Sequence, residues 1–321
     1  MKAIFVREFG DIDVMQLVEV PDPVPGPRQV LVQVRASGIN FAETRMRAGT
    51  YGGIQLPFIM GLESAGVVEA VGPGVDEFKL GDRVFGRARG SHAEKVVFDG
   101  DHLMPLPENL TFVEGAAIPV GWLTAWHALL TVAQVKSGQR VLIEAIASSV
   151  GSAALQIARW KGCWVAGTAS RDDKVQRARG KGADAAYNYK TEDVAERIKQ
   201  DTGGQGVDIA LMTIGQETAP STLAAMGMEG KVVMYGSTGG RQICFDVGIG
   251  TRNIQLLSMS ISTSPRFLSE TMPTFREQAL PLFADGTFTP VVDRVLPLER
   301  VGDAHRMVDE RRHFGKIILT V

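Results

Sequence analysis

Cysteine is scarce in this 321-residue chain, where Cys163 and Cys244 are the whole complement. Two thiols build neither a disulfide framework nor a cysteine-rich zinc site, and their number fits a reducing cytosol. Histidine is nearly as rare: His92, His102, His127, His305 and His313 are strewn along the chain without ligand spacing, so no metal is expected. A surplus of one charge is lacking too. The 34 basic and 36 acidic side chains leave a net charge of -2, with no basic stripe for a nucleic-acid partner. No apolar run approaches the ~18 residues of a membrane span. The opening Met1-Lys2-Ala3-Ile4-Phe5-Val6 reads as a strand, without the parts of a signal peptide. The expectation is a cytoplasmic protein with neither membrane nor nucleic acid as partner.

What is present is an ordinary globular balance of 45% apolar and 22% charged residues, over a length that suggests two domains. Residues 1–120 read as all-β, with short apolar runs at 30–34, 65–71, 83–85 and 94–97. Turn residues such as Gly72-Pro73-Gly74 and Gly81-Asp82 separate them, and such spacing suggests a small barrel or sandwich. From Thr111 the texture changes, and helical and strand-like segments alternate. Strands are expected at 140–146, 164–170, 185–187, 207–212, 231–235 and 254–258, with helices between them. Such alternation requires a doubly wound parallel sheet. A helix at 272–283, strands near 291–296, a helix at 300–311 and a strand at 316–319 close the chain. This tail is expected to return to the first domain, giving domains 1–120 plus 263–321 and an inserted 121–262.

Residues 140–174 carry the centre of this pattern. An apolar strand leads into Ala147-Ser148-Ser149-Val150-Gly151, then a helix with Ala154, Leu155, Ile157 and Ala158 on one face, a stop at Gly162 and a second strand. A dinucleotide pyrophosphate would sit at that turn, facing the helix N-terminus. A G-x-G-x-x-G match needs glycine at Ile146, Ser148 and Gly151, and only Gly151 complies, at the position for close packing of helix on strand. The hydroxyls of Ser148 and Ser149 can donate to phosphate oxygens instead.

With these residues in place the chain resembles the zinc-independent quinone oxidoreductase (zeta-crystallin-like) branch of the medium-chain dehydrogenase/reductase superfamily. The resemblance is carried by residues 38–44, by Gly61-Leu62-Glu63-Ser64-Ala65-Gly66-Val67-Val68, and by Gly81-Asp82-Arg83-Val84. Leu123-Thr124-Ala125-Trp126, Val150-Gly151, Gly182-Ala183-Asp184 and the closing Gly315-Lys316-Ile317-Ile318-Leu319 add to it. It implies a GroES-like β-barrel domain plus a Rossmann domain with the active site in the cleft between. It also implies NADPH-dependent reduction of quinones or other activated double bonds, usually by a homodimer. At the positions where zinc-using relatives carry catalytic cysteine and histidine, this chain has Asn40 and Leu62, neither a replacement for thiolate or imidazole. Without a Lewis acid, an acceptor that is already electron-poor is favoured, such as a quinone or an α,β-unsaturated carbonyl.

The resemblance places Asn40 against the nicotinamide ribose and the substrate carbonyl, and Thr124 at the nicotinamide carboxamide. Helix-start capping is the other reading of Thr124. Arg45 stands where many relatives have tyrosine, and is a candidate for stabilising the oxyanion formed as hydride arrives; a plain surface arginine is its alternative. Tyr51 is placed at the substrate mouth. Cofactor choice turns on the end of the second strand. A carboxylate there would take the ribose 2′-OH of NADH, but Ser170, Arg171 and Lys174 suit a 2′-phosphate, so NADPH is expected. Asp172 and Asp173 are read as first-turn helix acids. By resemblance Tyr189 lies near the adenosine phosphate, while Ile214, Gly215, Gly236, Ser237, Ser260 and Arg311 surround the nicotinamide half. Two rival readings share the scaffold: an enoyl-thioester reductase, and a nucleotide-binding scaffold without turnover.

Overall fold

The computed structural model describes residues 1–240, 242–244 and 247–321. It comprises two compact units, one formed by Met1–Val120 with Thr274–Val321 and the other by Gly121–Pro273.

The first unit begins with β1 (Lys2–Val6), β2 (Met15–Glu19), β3 (Gln29–Gly38), β4 (Phe58–Ile59), β5 (Glu63–Val71), β6 (Arg83–Arg87), β7 (Lys95–Asp99) and β8 (Leu103–Pro105). Valines at alternate positions of β3 explain its inward face. Val30, Val32 and Val34 meet Val68, Val84, Phe98 and Leu103 in one apolar cluster, as side chains alternating across a pleat must. One helix, Phe41–Arg47, corrects the all-β reading of this stretch. Its start was written in Asn40-Phe41-Ala42-Glu43. Asn40 is extended, with φ -125° and ψ 149°, and its N–H donates to the carboxylate of Glu43 three residues on, half of a capping box.

The second unit holds β9 (Arg140–Ile143), β10 (Trp164–Ala169), β11 (Ala185–Asn188), β12 (Val207–Met212), β13 (Met226–Met234) and β14 (Gln255–Ser258). All five pairings are parallel, in the order β11-β10-β9-β12-β13-β14. Val141, Leu142 and Ile143 have no exposure on either face, the mark of a parallel strand covered by helices on both sides. Helix Ser149–Trp160 turns Ala154, Leu155, Ile157 and Ala158 inward as its periodicity requires. Burial of Leu155 or Ile157 contributes about 1.5–3 kcal/mol each.

The chain then returns to the first unit. There β15 (Val292–Pro297) and β16 (Lys316–Thr320) extend the β3-β5-β6-β8 sheet, with β16 antiparallel to β3. Helix Val301–Asp309 packs against helix Phe41–Arg47. Among the described residues no helix is long and apolar enough to cross a membrane. The architecture is the expected one, a GroES-like β domain and a Rossmann sheet.

Candidate functional site

In the second unit the strand order reverses between β9 and β12, and a ligand crevice of an open α/β sheet opens beyond the carboxyl ends of such strands. Ser148, Ser149, Val150 and Gly151 follow β9. Ser170 and Arg171 follow β10, Tyr189 follows β11, Ile214 and Gly215 follow β12, Gly236 and Ser237 follow β13, and Ser260 follows β14. One edge of one sheet therefore collects residues spread over more than a hundred positions of sequence.

The substituted glycine fingerprint has a local explanation. Ile146 is fully buried, and its side chain lies over Gly167 of β10, where even a Cβ would come within 2.1 Å of it. Gly151 keeps the role expected of it, since a Cβ there would stand 2.4 Å from the Ala145 carbonyl oxygen. The Ser148 hydroxyl is the helix N-cap and accepts from the Gly151 N–H at 3.0 Å. Its own hydrogen remains for another acceptor, beside the amides of Ser149 and Val150, which as first-turn groups have no acceptor within the helix.

Glu144, which sequence reading passed over, closes the floor of the switch point. Its carboxylate is fully buried and accepts from the backbone N–H of Thr213 at 2.9 Å and of Ile214 at 2.8 Å. The hydroxyls of Thr218 and Thr222 donate to its other oxygen, each at 2.7 Å. The first residue beyond β9 thus fixes the turn beyond β12. Thr238 and Gly239 donate backbone bonds to the carbonyls of Thr213 and Ile214, tying the loop after β13 to the same turn. The signal was a lone carboxylate ending an apolar run, which a buried strand tolerates only when its oxygens are satisfied.

At the end of β10 the acids turn away from a ligand role. Asp172 accepts from the Asn188 amide at 2.7 Å, and Asp173 pairs with Arg171 at 2.8 Å. The Arg171 guanidinium beside it holds the Asp173 carboxyl below its usual range. Both acids occupy the first turn of helix Asp172–Gly180, and Lys174 is buried one step further on. Thr124 is the sixth residue of helix Pro119–Trp126, which corrects the reading of it as a helix-start cap.

In the first unit Asn40 sits at the centre of a buried polar network. Its Nδ2 donates to Glu63 Oε1 at 2.7 Å and to Glu43 Oε1 at 3.2 Å, and its Oδ1 accepts from Lys316 Nζ at 2.7 Å. Lys316 also pairs with Glu63 at 2.5 Å, and the second Glu63 oxygen accepts from the Val120 N–H at 2.6 Å. With carboxylates on one side and an ammonium on the other, the amide has a single sensible orientation. Both of its N–H bonds are engaged. The amide has no N–H left to donate to a carbonyl oxygen.

Beneath it lies His92, whose Nε2 is 3.0 Å from Glu43 Oε2 and whose Nδ1 is 2.7 Å from the Ser37 hydroxyl. A Cβ at position 61 would stand 2.4 Å from the His92 backbone nitrogen, so glycine is required there, in a left-handed conformation with φ 106°.

Arg45 and Tyr51 are more exposed. The Arg45 guanidinium lies 4.8 Å from the ring centre of Phe41, and the Tyr51 N–H donates to the Arg45 carbonyl at 3.1 Å. Arg311, at φ 53°, follows helix Val301–Asp309 and belongs to the first unit. Arg87, not singled out from sequence, pairs in register with Glu63, and burial lowers its guanidinium to about 10.

Comparison with known proteins agrees with this geometry. The zinc-binding dehydrogenase family model matches residues 181–319, and that of the alcohol dehydrogenase GroES-like domain matches residues 26–108. Quinone oxidoreductase from Sus scrofa is 36% identical over 99% of this chain and 97% of its own length. The pikromycin polyketide synthase component PikAII from Streptomyces venezuelae is 36% identical over 94% of this chain, which spans 8% of that protein. Among solved structures, Escherichia coli quinone oxidoreductase complexed with NADPH superposes with a TM-score of 0.91 at 29% identity, covering all of both chains.

Proposed function

Because the chain belongs to the quinone oxidoreductase branch of the medium-chain dehydrogenase/reductase superfamily, we propose that it is an NADPH-dependent reductase delivering hydride to a quinone or an α,β-unsaturated carbonyl without a catalytic metal. The observation that carries the reading is the switch point of the second sheet. There the Ser148–Gly151 turn and the Glu144-anchored Thr213–Gly215 turn lie at the carboxyl ends of adjacent strands.

Bound NADPH supplies the hydride. The first-turn amides after Ser148 and the hydroxyl of Ser148 would hold its pyrophosphate, and Asn40 would accept from a ribose hydroxyl. Zinc, which the description of one matching family mentions, does not fit positions 40 and 62. Leu62 offers no donor, and the Asn40 amide is spent on Glu43, Glu63 and Lys316. An acceptor whose own conjugation takes up the electron pair suits a site so equipped.

The reading is tested by fluorescence titration with NADPH, then by NADPH oxidation with 1,2- and 1,4-quinones, short enones and an enoyl thioester. Turnover with a quinone or enone is the expected result. Binding without oxidation of NADPH by any acceptor would sink it in favour of the scaffold reading. Turnover with the thioester alone would favour the second enzyme reading, for which the match to a polyketide synthase component is the support.

For cofactor choice, Arg171→Ala is expected to raise the KM for NADPH about tenfold while leaving that for NADH within a factor of about two. Equal changes for both coenzymes would remove Arg171 from phosphate recognition. The guanidinium of Arg45, stacked on its own helix, is expected to be dispensable, with kcat/KM of Arg45→Met within about threefold of the parent. A loss of a hundredfold would make it an oxyanion donor. The β14 edge of the six-stranded sheet is the surface on which a second copy would pair, giving the homodimer implied by the resemblance.

A further inference from the structure

Glu43, His92 and His305, all buried in the first unit, touch neither coenzyme nor acceptor in the reading above, and the proton positions around His92 can be worked out. Ser37 Oγ lies 2.8 Å from the carbonyl oxygen of Glu63, which only accepts, so its single hydrogen goes there. The 2.7 Å contact from His92 Nδ1 to the same hydroxyl must then be a donation by the ring. In the neutral imidazole this leaves Nε2 without a hydrogen, 3.0 Å from Glu43 Oε2, a contact between two acceptors that needs a proton or a cation between them. Such a ring, with one nitrogen held by a hydrogen-bond acceptor and the other free to coordinate, is arranged as metal-binding histidines are.

A second observation points into the same space. His305, on helix Val301–Asp309, is fully buried, and neither of its ring nitrogens has a hydrogen-bond partner among the described residues. Burial also keeps it neutral, lowering its imidazole to about 3. One donor atom each from Glu43, His92 and His305 lie within 4.8 Å of one another. A cation there would occupy the orphaned nitrogens and separate the carboxylate from the Nε2 lone pair, drawing the three groups inward to bonds of about 2.0–2.2 Å.

We propose that Glu43, His92 and His305 form a binding site for a divalent transition metal of the zinc type, joining helix Phe41–Arg47 to helix Val301–Asp309. Two imidazoles and a carboxylate are a donor set that zinc favours. The site does not include position 62, and it is structural, so it stands whether or not the hydride chemistry proposed above is right.

The test is metal content and cobalt spectroscopy on the full-length chain, unfolded with chelator and refolded with excess Zn²⁺ or Co²⁺. The expected result is about one ion per chain after desalting, a visible ligand-field band of four-coordinate cobalt, and a melting temperature about 5 °C above that of the metal-free chain. His305→Gln is expected to lose the ion and the band. Should that variant fail to fold, metal content and the cobalt spectrum of the unaltered chain decide alone. No retained metal and no cobalt band would overturn the proposal, leaving a proton on Nε2 and a buried water in the space. Undiminished metal in a folded His305→Gln would overturn it equally.

Discussion

Replacing Lys316 by methionine is expected to lower the stability of the first unit by about 3–5 kcal/mol, seen as a fall of ten degrees or more in its melting temperature. Lys316 is 1% exposed, and its ammonium donates to Glu63 and to Asn40. Taking it away leaves the fully buried Glu63 carboxylate beside that of Glu43, and a buried charge without its partner costs far more than the pair contributes. The double variant Lys316→Met with Glu63→Gln is the informative control. It is expected to recover much of the lost stability while leaving NADPH oxidation impaired, because of the charged groups that fix its orientation the Asn40 amide then keeps Glu43 alone. A single variant that melts with the parent would show the network to be dispensable.

The second large effect is expected at Glu144. Leucine there would strip acceptors from two backbone N–H groups and two hydroxyls, all enclosed. At about 1–3 kcal/mol for each donor left unsatisfied, the second unit of Glu144→Leu should not fold at ordinary temperatures. Glutamine separates the roles. Its carbonyl oxygen can face the Thr213 and Ile214 amides, and the hydroxyls of Thr218 and Thr222 can rotate to accept from its NH2. Glu144→Gln is therefore expected to fold, with a loss near 1–2 kcal/mol and a raised KM for NADPH. An unchanged melting temperature in Glu144→Leu would show that the clamp does nothing.

Why some of this was legible in the sequence and some was not follows from how far each interaction reaches. The Rossmann half declared itself because a parallel sheet buries both faces of its strands, which makes segments such as Val141-Leu142-Ile143 apolar throughout. Gly151 was legible because its constraint is a contact with residues a few positions away. So was the placement of Asp172 and Asp173 in a first helical turn. Helix Phe41–Arg47 is hard to read from sequence although Asn40 and Glu43 spell its cap, because seven residues offer too little periodicity to stand out among strands. Thr124 in its local sequence suits a helix start, yet five helical residues precede it. The polar network was the least visible part. Glu43, Glu63, His92, His305 and Lys316 come from separate elements, and nothing local in any of those segments announces the others.

The Lys316–Asn40 contact has a consequence for how the protein is made. Its two residues are 276 positions apart, and β3 finds its neighbour β16 only after the whole inserted unit has been synthesised. The inserted nucleotide half is free to mature during translation, while the half bearing Asn40 waits until β16 has been made. Pairing at such sequence separation is slow, so catalytic competence should trail coenzyme binding in a newly synthesised chain. Nascent chains arrested before β16 should bind NADPH and reduce nothing.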